Sequence, residues 1–131
     1  KRAAELFNGV SGGFARAVRL AGNSWLPAGV QPAGLEDAVA PDRVSGGEQE
    51  QLHLAVRLAL ADILTEKEPF PVVLDDVLLA TDEQRLGRIL EMLEARKQKM
   101  QFLVLTCHPQ RFRALQDVQE IALQPAARAG A

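Results

Sequence analysis

Residues 48–66 contain neither glycine nor proline, and their apolar residues recur at spacings of three and four: Leu52, Ala55, Val56, Ala59, Leu60, Ile63 and Leu64. That pattern predicts a helix of about five turns. Leu54, Leu58 and Ala61 widen its apolar face, so the helix is expected to be well buried. Pro69 and Pro71 end it. Val72-Val73-Leu74 follows, stopped by Asp75-Asp76. A short apolar run ended by acids suits a central strand of a parallel sheet, buried on both faces. Residues 82–99 repeat the helical pattern through Leu86, Ile89, Leu90 and Leu93, and residues 102–106 repeat the buried strand. A short helix over 110–116 and a last strand over 118–123 extend the series. Helices alternating with apolar strands argue for an α/β layer with parallel strands.

The part before Ser45 has a different character. Residues 1–8 read as a short charged helix. Residues 9–44 carry six glycines and three prolines, which punctuate turns rather than continue helices. Two strands are expected inside this stretch, over 15–20 and 24–26, turning through Ala21-Gly22-Asn23 as a hairpin. The chain therefore divides into 1–8, a Gly/Pro-rich β and loop region over 9–44, an α/β lobe over 45–124, and a frayed tail over 125–131.

Composition narrows the function classes. Of 131 residues, 47% are apolar, which suits a packed core, and 5% are aromatic, so that core rests on aliphatic side chains. Fifteen basic residues against seventeen acidic give a net charge of −2, too little for nucleic-acid binding by electrostatics alone. Cys107 is the only cysteine, so neither a disulfide framework nor a cysteine-rich zinc site can form within the chain. A reducing, cytoplasmic setting is the expectation. No apolar run approaches the ~20 residues of a membrane span.

Three places could carry chemistry. Ser45-Gly46-Gly47-Glu48 opens the long helix. Ser with Glu three residues on is a capping box. Paired glycines weaken a first turn, and their compensation is close backbone approach at an end where bare N–H groups and the helix dipole favour an anion. Both readings are compatible with the tetrapeptide. Asp75 and Asp76 stand at the carboxyl end of a parallel strand, where α/β proteins bind ligands. A hard cation such as Mg²⁺ would offset the cost of one carboxylate. Neighbours on a strand point to opposite faces, so the two acids should do different jobs. His108 ends the next strand and could reach the same edge. A Cys107–His108 nucleophile pair is rejected, because adjacent residues on an extended chain diverge and no third group orients the imidazole.

In this order, these pieces resemble the C-terminal half of an ABC-type ATPase head of the SMC-like group that includes the SbcC-type double-strand-break repair ATPases. Val44-Ser45-Gly46-Gly47-Glu48-Gln49 looks like the ABC signature. Val72-Val73-Leu74-Asp75-Asp76 looks like the Walker B strand, Ala80-Thr81-Asp82 sits at the D-loop, and Thr106-Cys107-His108-Pro109 looks like the switch-histidine loop. Thirty residues separate Ser45 from Asp75, and thirty-three separate Asp75 from His108. The resemblance covers residues 44–112 firmly. It implies ATP and Mg²⁺. Asp75 would hold the metal, Asp76 would be the general base and His108 would contact the γ-phosphate. Ser45, Gly46, Gly47 and Glu48 would form the signature end that meets ATP on a second head, and Asp82 would communicate across that dimer.

The resemblance also implies partners: an N-terminal Walker A half, a second copy of the head, DNA, and a nuclease subunit, with no membrane. A Walker A loop needs Gly-x-x-x-x-Gly-Lys-Ser/Thr. The lysines here are Lys1, Lys67, Lys97 and Lys99; none follows a glycine or precedes Ser or Thr. The family places that loop before a long coiled coil, whose returning end residues 1–8 would be. One departure stands out: most ABC proteins have Glu at the position of Asp76. Asp is one methylene shorter, which implies a closer backbone, an intervening water, or slow hydrolysis. Two alternatives follow: a non-hydrolysing ABC-like dimerisation domain, and a receiver-like signalling domain with its paired acids at a strand end.

Overall fold

The computed structural model describes residues 1–66 and 68–124; the tail expected over 125–131 lies outside them. The order is α1 (Arg2–Ser11), β1 (Ala15–Leu20), β2 (Pro27–Pro32), α2 (Gly46–Leu64), β3 (Pro71–Asp75), α3 (Glu83–Glu94) and β4 (Gln101–Leu105), with short 3₁₀ turns at Pro41–Arg43 and Pro109–Phe112. Strands β1 and β2 form an antiparallel hairpin, and β3 and β4 form a parallel pair. The chain is thus mixed α/β, with the small hairpin near its N-terminus, as the sequence predicts.

Helix α2 is the centre of the molecule. On one side its Leu52 and Ala55 meet Phe7 of α1 and Ala15 and Val30 of the hairpin. On the other side its Leu54, Leu58 and Ala61 join Val72 and Leu74 of β3 and the Leu86, Ile89, Leu90 and Leu93 face of α3. Burial on two sides explains why its apolar residues spread beyond one stripe. Asp62 near its end receives a two-pronged bond from Arg96, Nε to Oδ1 at 3.1 Å and Nη2 to Oδ2 at 3.2 Å, which ties α2 to the turn after α3.

Some boundaries differ from the sequence expectation. Helix α1 continues to Ser11 and stops at Gly12, whose φ of 75° makes the left-handed cap; Gly9, inside the helix, is tolerated. The second hairpin strand is Pro27–Pro32, not 24–26. The turn spans 21–26, closed by Ala21 N–H to the Leu26 carbonyl at 2.9 Å, and the prolines sit at the strand's ends, where a missing donor costs least. Residues 109–112 form one 3₁₀ turn rather than a helix over 110–116. The strand expected over 118–123 is absent: Val118, Ile121 and Leu123 are exposed. An apolar run becomes a strand only where a neighbour offers an edge.

The largest departure concerns β3 and β4. A parallel sheet is expected to be covered on both faces. Here Val72 and Leu74 are buried, but Val73, Leu103 and Leu105 are each about half exposed, at 50%, 46% and 47%. The register sets Val73 beside Leu103 and Asp75 beside Leu105, so these four share one uncovered face.

After α3 the chain is held by charge. Glu94 accepts from Lys97 Nζ at 2.8 Å and from Gln116 N–H at 2.6 Å, and Lys97 also bonds Asp117 at 3.1 Å. These donors, Lys97 first, hold the Glu94 carboxyl below its ordinary value of 4.5. Glu94, then Asp117, raises Lys97 above its ordinary 10.5. A depressed carboxyl contributes stability above its unfolded value and loses it as pH falls through the folded one. The melting-temperature difference between the protein and its Glu94→Gln variant is therefore expected to be constant near neutrality and to shrink below about pH 4.5. A difference unchanged from pH 7 to pH 3 would count against it.

Candidate active site

Parallel pairing brings the acid pair and the histidine loop to one edge. Asp75 ends β3 opposite Leu105, and the Asp76 N–H donates to the Leu105 carbonyl at 2.8 Å, prolonging the ladder by one bond. From there both chains leave the sheet side by side. Asp75 is exposed on the uncovered face. Asp76 does not continue the strand: its φ is 44°, in the left-handed region that aspartate tolerates better than most residues. Asp75 keeps the strand conformation and Asp76 begins a turn, so the two acids occupy different backbone settings.

Across the edge, Cys107 is exposed and its thiol donates to Asp76 Oδ1 at 3.8 Å. The thiol thus meets a carboxylate and not the imidazole of His108, in line with rejecting a nucleophilic Cys–His pair. His108 is exposed; its N–H donates to Thr106 Oγ1 at 2.9 Å and it opens the 3₁₀ turn Pro109–Phe112. Among the described residues no three His, Cys, Asp or Glu side chains form a metal cluster. Two exposed carboxylates without a cage suit Mg²⁺, which takes one or two carboxylates and completes its shell with water and substrate phosphates.

The start of α2 forms the second part. Ser45 caps the helix: its Oγ accepts from Glu48 N–H at 3.3 Å, and Glu48 Oε2 accepts from the Ser45 N–H at 3.0 Å and its hydroxyl at 2.9 Å. The capping box is complete. The two glycines then separate. A Cβ on Gly47 would come within 2.9 Å of the Ala80 carbonyl oxygen, so this glycine is required by packing within the chain. A Cβ on Gly46 would meet nothing within 4 Å. Its backbone is bare toward solvent, at a helix end whose first amides have no partner inside the helix. Gly46 and Asp76 line the same cleft of about 420 Å³, together with Gln49, Glu50, His53 and Arg57.

Residues 76–82 connect the two parts. Leu78 is fully buried with φ of 70°, a costly conformation for a bulky side chain. Ala80 N–H donates to Glu50 Oε2 at 3.4 Å. Asp82 caps α3, accepting from Arg85 N–H at 2.9 Å, and pairs with Arg85 Nε at 3.3 Å. Arg85 Nη2 lies 3.7 Å from Glu48 Oε1, so the capping carboxylate of α2 and the cap of α3 share one guanidinium. From the third side, Arg111 Nη2 donates to the Leu78 carbonyl at 2.9 Å and the Thr81 carbonyl at 2.6 Å. Sequence reasoning missed Glu50, Arg85 and Arg111. Only Arg85 has a local signal, three residues after a helix cap; Glu50 and Arg111 meet loop residues some thirty positions away.

No family model matches the chain. It is 36% identical over 90 residues to an uncharacterised protein of Mycobacterium tuberculosis, a match covering 68% of this chain and 10% of that one. It is 32% identical over 82 residues to the DNA double-strand break repair Rad50 ATPase of Methanocaldococcus jannaschii, covering 63% of this chain and 8% of that one. The matched stretch thus spans about a tenth of the length of these curated relatives. Among solved structures, an SMC ATPase studied for ATP-driven dimerisation and DNA-stimulated activation superposes with a TM-score of 0.62 at 20% identity, covering 96% of this chain and 80% of that one. An Smc head bound to the C-terminal winged-helix domain of ScpA superposes at 0.66 and 21% identity, covering 86% and 35%. The SMC head domain from Thermotoga maritima superposes at 0.56 and 27% identity, covering 88% and 41%. The chain has the fold of SMC ATPase heads and a stretch similar in sequence to a Rad50 ATPase, which is consistent with the C-terminal half of an SMC/Rad50-like ABC ATPase head.

Proposed function

We propose that the chain supplies one half of an ATP-hydrolysing site, which is completed by a Walker A half and by a second copy of the head. The observation that carries this reading is that Asp75, Asp76 and the loop bearing His108 follow the same end of a parallel strand pair with one uncovered face. An apolar face of this kind asks for a further layer. The N-terminal half that would bring the missing phosphate loop is the occupant with the right chemistry.

In this scheme Asp76 accepts a proton from a water placed in line with the γ-phosphorus. The new bond forms between that water's oxygen and phosphorus, the bond to the β–γ bridging oxygen breaks, and ADP departs with the electron pair. Asp75 would hold Mg²⁺, which supplies charge neutralisation at the phosphates when bound. His108 donates toward the γ-phosphate oxygens from the loop that follows β4. The bare first turn at Ser45, Gly46 and Gly47, steadied by Glu48, faces the γ-phosphate bound on the partner head, and Asp82 carries the state of one site to the other.

ATP would then clamp two heads and hydrolysis would release them. The biological setting belongs to the same proposal: DNA repair or chromosome maintenance, with DNA and a nuclease subunit as partners. Among the described residues no helix is long and apolar enough to cross a membrane. A receiver-like domain would need a different fold from the SMC-head fold found here.

The test is reconstitution. These 131 residues alone are expected to release no phosphate from Mg·ATP above background, and the protein that also carries the Walker A half is expected to restore turnover. Full turnover by the 131 residues alone would sink the half-site reading.

A further inference from the structure

We infer that Arg111 is a positioning residue, through which the loop carrying His108 sets the loop carrying Asp82. The inference rests on the proposed ATP half-site but adds a role that none of its motifs contains.

Arg111 stands in the 3₁₀ turn that begins after His108, and its N–H donates to the His108 carbonyl at 3.1 Å. The next residue, Phe112, is buried in the main core and anchors that turn. The side chain crosses to the neighbouring loop, where a single nitrogen, Nη2, bonds the carbonyls of Leu78 and Thr81. Thr81 immediately precedes the cap of α3. Arg111 is thus joined at its backbone to the histidine and at its guanidinium to both ends of the turn before Asp82.

Two features distinguish this from an ordinary surface clamp. First, Arg111 forms no ion pair among the described residues, and its Nε is buried without a partner. Bringing a guanidinium this far out of water for two carbonyls is costly, and Leu79 and Ala80, at the crest of the same turn, are exposed to solvent that could serve carbonyls at less cost. Second, the gripped loop is not in its best-bonded arrangement. Leu78 carries a left-handed backbone; among the described residues Thr81 Oγ1 is buried without a partner, and so are both amide atoms of Gln51, which lies beside the contact of Gly47 with Ala80. Buried polar groups without partners, in the loop and on the helix α2 face against it, together with a strained residue describe an element with a second arrangement within reach. Displacement of the His108 turn pulls on the two carbonyls that hold the first arrangement.

The experiment uses the protein with both halves of the head. Arg111→Met removes the donors and keeps the stem. It is expected to lower kcat at least about tenfold while KM for ATP stays within about threefold. Arg111→Lys should recover most of the loss, since one nitrogen makes both bonds. In an Asp82→Ala background, adding Arg111→Met should change kcat less than about twofold, because the path is already cut. An unchanged kcat in Arg111→Met, or a full further loss in the Asp82→Ala background, would overturn the inference. Should Arg111→Met fail to fold, Arg111→Gln carries the same cycle. Hydrogen exchange separates this inference from the reading beneath it. A wild-type head that turns over no ATP defeats the half-site, whereas a Thr81 amide that exchanges equally fast with and without the Arg111 side chain defeats the coupling.

Discussion

Asp76→Asn, made in a head that carries both halves, is expected to reduce steady-state ATP hydrolysis by about 10²–10⁴-fold, the usual contribution of a positioned general base. ATP binding should stay within a few-fold of wild type. The substitution isolates one function. Asn is isosteric with Asp and tolerates the left-handed backbone found at this position, so the turn and its N–H bond to Leu105 should persist. What disappears is the ability to accept a proton. The shorter carboxylate does not by itself argue against catalysis: Asp76 is exposed, lines the cleft shared with Gly46, and has a thiol as its only side-chain hydrogen-bond partner among the described residues. It is therefore free to take a water. Phosphate release by the variant at the wild-type rate would sink the assignment of Asp76 as the general base, whereas a wild-type head that releases none would favour the non-hydrolysing dimerisation domain.

Much of this was readable in the amino acids because the signals are local. The three-and-four spacing of α2 and α3 and the apolar runs ended by Asp75 and Thr106 identify elements whose neighbours are supplied by the same chain. The acid pair and His108 stand out because each follows an apolar strand directly. Other features lack such signals. An apolar run reads the same whether its second neighbour lies in this chain or in another, so the uncovered face of Val73, Leu103 and Leu105 could not be foreseen, nor could the unpaired state of residues 118–123. The start of α2 at Gly46, by contrast, is legible in Ser45 and Glu48, whose capping box outweighs two poor helix formers. Glu50 and Arg111 act across some thirty residues on backbone atoms of a loop, and backbone partners leave no trace in side-chain pattern.

The two glycines at the start of α2 offer the sharpest separation of stability from function. Gly46→Ala places a methyl in open space at the first position of a helix, where alanine is the better former by up to ~1 kcal/mol. Thermal unfolding should be unchanged or slightly raised. Hydrolysis by the paired heads should nonetheless fall at least about tenfold, because a Cβ there stands between the bare first turn and the γ-phosphate of the partner head. Gly47→Ala places its methyl 2.9 Å from the Ala80 carbonyl oxygen, a backbone atom that cannot step aside alone. The cost should be about 1–3 kcal/mol, the usual penalty of overpacking, and the displaced loop carries Asp82 with it. Both variants should therefore lose turnover, but only Gly47→Ala should also lose melting temperature. Calorimetry beside steady-state phosphate release reads the difference. If Gly46→Ala kept its full rate in a dimerising head, no phosphate would approach that turn, and the capping box alone would account for Ser45 and Glu48.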